Sequence, residues 1–65
     1  MNRRTVLWSI VNAANFVVTC SIEERPSGDI KLTVELESNE LLSEVHYSPA
    51  DALTRARELR RKIKV

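Results

Sequence analysis

A chain of 65 residues fits one domain spanning 1–65 and leaves no room for a second. Its single cysteine, Cys20, and single histidine, His46, rule out an intramolecular disulfide and argue against a metal site, so no cofactor is expected. The net charge of +1 does not mark the whole chain as a nucleic-acid or membrane binder, yet the charge is unevenly spread. Residues 1–21 carry +2, residues 22–51 carry −6 and residues 52–65 carry +5.

The N-terminal segment has two readings. Arg3 and Arg4 precede an apolar stretch, and Val17-Val18-Thr19-Cys20 has a slight likeness to a lipoprotein cleavage box. Asn12 and Asn15 interrupt that stretch and Thr19 is a poor residue before the cysteine, so no processed signal is expected. No apolar run approaches the ~20 residues of a membrane span. A cytoplasmic protein with a reduced thiol is the expectation. Within 3–14, Val6, Leu7, Ile10, Val11 and Ala14 fit one helical face, whereas Thr5, Val6, Trp8, Ile10 and Val11 favour a strand. A strand at 4–12 turning through Ala13-Ala14 is preferred, with a helix as the alternative. With Asn12 opposite Asn15, Leu7 and Val11 would face inward, and Val6, Trp8 and Ile10 outward beside Val17.

Strands are then expected at 16–23, 30–37 and 40–47. Phe16, Val18, Cys20 and Ile22 alternate with Val17, Thr19, Ser21 and Glu23, and Ile30, Leu32, Val34 and Leu36 alternate with Lys31, Thr33, Glu35 and Glu37. Arg25-Pro26-Ser27-Gly28-Asp29 between them is rich in turn formers and predicts a hairpin loop. A two-residue turn at Ser38-Asn39 would pair Leu36 with Leu41, Leu32 with Val45 and Ile30 with Tyr47 on the inner face. The outer face would then hold Leu42 opposite Glu35, Glu44 opposite Thr33 and His46 opposite Lys31.

The last element is a helix over 49–64. Ser48 suits the cap, Pro49 the first helical position, and Asp51 falls at capping-box spacing, with Tyr47 able to staple against Ala52 or Leu53. Ala52, Leu53, Ala56, Leu59 and Ile63 recur at helical spacing and predict one buried stripe. Asp51 with Arg55 and Glu58 with Lys62 form acid-to-base pairs at i,i+4.

The expected class is therefore α+β: an antiparallel meander of four strands, or three plus an N-terminal helix, covered on one face by an amphipathic helix. In element order alone, the four-stranded layout is similar to a transcription-coactivator fold that dimerises and binds single-stranded DNA. The alternative looks like double-stranded-RNA-binding domains, whose last helix starts with lysines. Ser48-Pro49-Ala50-Asp51-Ala52 has no base there.

Few residues suggest chemistry. Gly28, the only glycine, sits in a turn, so no phosphate-cradling loop exists. Cys20 is expected to be an inert core thiol. Glu44 and His46 beside Lys31 resemble an acid–base cluster, but on a flat outer face they read as a solvated surface. No catalytic residue and no small-molecule substrate are expected. The leading expectation is a non-enzymatic interaction module (an inhibitor, adaptor or regulatory subunit) that self-associates or binds a protein through Val6, Trp8, Ile10, Val17 and Leu42. The alternative is a nucleic-acid-associated regulator touching phosphates through Arg55, Arg57, Arg61, Lys62 and Lys64. Helix-dipole complementarity and a solvated, charged outer face are the preferred explanation of those bases, and the acidic strands would repel phosphate from the sheet face.

Overall fold

The computed structural model describes residues 3–63. Four strands, β1 (Arg3–Val11), β2 (Val17–Glu24), β3 (Ile30–Leu36) and β4 (Asn39–His46), form an antiparallel sheet in the order β1-β2-β3-β4. One helix, α1 (Pro49–Lys62), follows and packs on one face. The α+β meander is the fold, and the N-terminal segment is a strand. Its β-branched and aromatic residues pack on a pleated surface, and β2 supplies the backbone hydrogen-bonding partner that a strand requires.

Turn chemistry fixes the registers, and two of the three turns differ from expectation. Between β1 and β2 the loop holds three residues, Ala13-Ala14-Asn15, rather than two. The Asn12 amide donates to the Phe16 carbonyl at 2.9 Å, and the Asn12 side-chain oxygen accepts the amides of Ala14 and Phe16, both at 3.0 Å. Asn15 takes the left-handed conformation at φ 68°, which Asn tolerates better than most residues. The β2–β3 loop repeats this solution with Gly28 at φ 93°. The third turn uses Glu37 and Ser38, at φ 49° and 73°, as the two left-handed residues of a tight hairpin, so Leu36 pairs with Asn39.

Each shift by one residue exchanges the faces of a strand. In β1, Trp8 pairs with Cys20 and Ile10 with Val18, so both side chains lie on the helix side rather than outward. An irregularity between Val6 and Trp8 makes Leu7 an extra residue, and it too packs against the core. In β4 a second bulge inserts Leu41, after which Leu42 pairs with Val34, Glu44 with Leu32 and His46 with Ile30. Leu42, Glu44 and His46 therefore face the helix, while Val45 and Tyr47 are exposed.

The core is built from Val18, Cys20, Leu32, Val34 and Ala56, with Leu7, Trp8, Ile10, Ile22, Leu36, Leu42, Leu59 and Ile63 packed around it. Phe16, Val45 and Leu53, expected inside, are exposed; Trp8, Ile10 and Leu42 take their place. The helix buries Ala52 and Ala56, two small residues that let it approach the sheet closely. Ser48 has the extended backbone of a cap but makes no side-chain capping bond, and Tyr47, at 83% exposure, does not staple. Pro49 preorganises the first turn in their stead.

Candidate functional site

The candidate interface divides in two. Trp8 is anchored rather than presented: its indole N–H donates to the Ala56 carbonyl at 3.1 Å, tying β1 to the helix. Ile10 and Leu42 likewise pack on the core. Val6 and Val17 remain outside. Val6 pairs with Ser21 and Val17 with Val11, which places all three valines on the sheet face turned away from the helix. Val6 and Val11 are 57% and 52% exposed, along a β1 edge whose far side has no strand among the described residues. The sequence register turns Val11 inward because its expected loop is one residue shorter. The backbone bond from Asn12 to Phe16, the left-handed Asn15 and the Asn12 side-chain bonds to Ala14 and Phe16 define the longer one.

The rest of the outer face is polar. Arg4, Ser21, Glu23, Lys31, Thr33, Glu35, Ser38 and Glu40 line a shallow cleft of about 240 Å³. Arg4 reaches across β2, donating to the Ser21 hydroxyl at 3.3 Å and forming an ion pair with Glu35. That contact offsets the repulsion of Glu35 and Glu40, which stand opposite one another on β3 and β4.

On the helix side, the bases also divide. Arg55 turns toward β4 and grips Glu44 in a fork, Nε to Oε1 at 3.1 Å and Nη2 to Oε2 at 3.0 Å, with Glu58 at 3.5 Å. The guanidinium holds the Glu44 carboxyl below its ordinary range, with a smaller contribution from His46, whose Nε2 lies 3.0 Å from Glu44 Oε1. The expected helical partners Asp51 and Lys62 are not used. Lys31 sits on the opposite sheet face, so the suspected Glu44–His46–Lys31 group does not assemble. Arg57, Arg60, Arg61 and Lys62 are exposed, and none makes an ion pair among the described residues. Arg60 and Arg61 line a cleft of about 140 Å³ with Ile10 and Ile63. Lys64 lies outside the described residues.

Cys20 is fully buried, and burial pushes its thiol up to about 11, too high for a thiolate at neutral pH. Among the described residues, no three His, Cys, Asp or Glu side chains are grouped to hold a metal ion. No described helix is long and apolar enough to cross a membrane. No family model, curated protein or solved structure matches the chain.

Proposed function

We propose that this chain is a small non-enzymatic interaction module that self-associates through β1. The observation that carries this reading is that β1, one of the two edge strands among the described residues, runs beside the exposed Val6, Val11 and Val17. An edge strand offers a row of unpaired backbone groups, and natural sheets usually blunt such edges with charge or a bulge. Here Arg3, Arg4 and the Leu7 bulge blunt the start of β1, leaving Trp8–Val11 as the regular run for pairing. Antiparallel addition of β1 from a second copy about a two-fold axis would continue the sheet and bring the valines of both copies onto one continuous face.

Light scattering coupled to size exclusion tests this directly. The expected mass is twice the 7.4 kDa of the chain, falling to one chain in Val11→Lys. A wild-type monomer at the highest attainable concentration overturns the reading, as does a dimer unaffected by Val11→Lys.

A further inference from the structure

The geometry points to a second surface, the outer ridge of α1, as a dock for the phosphate backbone of duplex DNA. Among the described residues, Arg55 is the one helical arginine held in ion pairs, by Glu44 of β4 and by Glu58 of α1 itself. That leaves Arg57, Arg60, Arg61 and Lys62 exposed within six residues and unpaired among the described residues, with Arg60 and Arg61 bordering Ile10 of β1. The helix dipole accounts for bases in the last turn, but Arg57 lies a turn before it.

The sheet resolves the electrostatic objection raised by the acidic strands. Glu23, Glu35 and Glu40 line the cleft on the opposite face. Glu44, the acid of β4 that does face the helix, is neutralised by Arg55. A phosphate approaching the ridge meets four bases there, with Glu58, which shares Arg55 with Glu44, as the one acid among them.

The surroundings of the ridge select the polyanion. An anionic membrane would need a run of exposed apolar side chains beside the bases for insertion, but Ala52, Ala56, Leu59 and Ile63 pack on the sheet and Leu53 is the one large apolar side chain that the helix leaves exposed among the described residues. Single strands are held by aromatic stacking, whereas the Trp8 ring is fastened beneath the helix. Phe16 and Tyr47, the exposed rings, lie on the β1–β2 turn and ahead of the helix. A convex basic helix matches the groove and flanking phosphates of a B-form duplex. This proposal does not depend on self-association, since the ridge and the β1 edge are separate surfaces.

The test is fluorescence anisotropy with a labelled DNA duplex across a salt series. Four phosphate contacts predict a log–log salt slope of about −3.6, hence a roughly hundredfold loss of affinity between about 50 and 200 mM salt. Arg57→Gln/Arg61→Gln should reduce that slope to about −1.8 while circular dichroism shows the fold retained. Lys31→Ala, on the opposite face, should bind as wild type does. Absence of binding at low salt, an unchanged slope in the double variant, or an equal loss in Lys31→Ala overturns the proposal. So does a single-stranded competitor, or a vesicle rich in anionic lipid, bound more tightly than the duplex.

Discussion

Trp8 shows how one side chain can change meaning when its strand turns over. As an outward residue it would be a contact for a partner; as observed, its N–H joins β1 to the middle of α1 across 48 positions of sequence. Trp8→Phe keeps most of the apolar contact and removes one hydrogen bond, an expected loss of about 0.5–1.5 kcal/mol. In a domain of this size that is a fall of roughly 2–12 °C in melting temperature, readable by circular dichroism. Trp8→Ala should cost more, because the ring also packs on the core. Glu44 carries a pH prediction at the same scale. Its carboxyl sits below its ordinary value of 4.5 in the folded chain, chiefly through Arg55, and regains that value on unfolding. The stabilisation it supplies is thus present above pH 4.5 and is lost as the pH falls through the folded-state value. Glu44→Gln should be less stable than wild type at neutral pH and should lose less on acidification, as measured by urea midpoints. A residual slope is expected from Asp29, whose carboxyl is lowered by the Ser27 hydroxyl.

At the scale of elements, β2, β3 and α1 were legible because one periodicity dominates each. Val18, Cys20 and Ile22 share a parity, as do Ile30, Leu32, Val34 and Leu36, and both sets face inward. β4 was not legible in the same way. Its apolar residues fall on both parities, Leu41, Val45 and Tyr47 on one and Leu42 on the other, so alternation does not choose a face. The observed choice aligns Glu44 with Arg55, a pairing between β4 and α1 that no pattern within either element reveals. The bulges at Leu7 and Leu41 are equally invisible to a period-two reading. The hairpin itself supplies a test. Ser38 occupies a left-handed position, and Ser38→Gly should stabilise by the order of 1 kcal/mol, seen as a higher urea midpoint. Asn39 is the first residue of β4 and pairs with Leu36, so Asn39→Gly should destabilise. A turn centred on Ser38-Asn39 would instead make the second substitution the stabilising one.

The whole molecule is limited by how little it can bury. Its buried hydrophobic residues are Val18, Cys20, Ile30, Leu32, Val34, Ala52 and Ala56, of which three are small, while Val6, Val11, Leu41, Val45 and Leu53 stay in contact with water. At typical values near 0.05–0.15 kcal/mol per residue, a 65-residue chain has a total stability of roughly 3–10 kcal/mol. Leu32 is fully buried at the centre of the sheet, between Ile22 on β2 and Glu44 on β4. Its truncation to alanine would leave a cavity among neighbours already held by strand pairing, at a cost of about 2–5 kcal/mol. That is a large share of the total, so Leu32→Ala should show a shallow or absent thermal transition by circular dichroism. Leu53→Ala removes the same atoms from a site 41% exposed on the helix, and its expected change stays within about 1 kcal/mol. Equal losses in the two variants would mean that Leu53 is covered in solution, which the chain alone does not do.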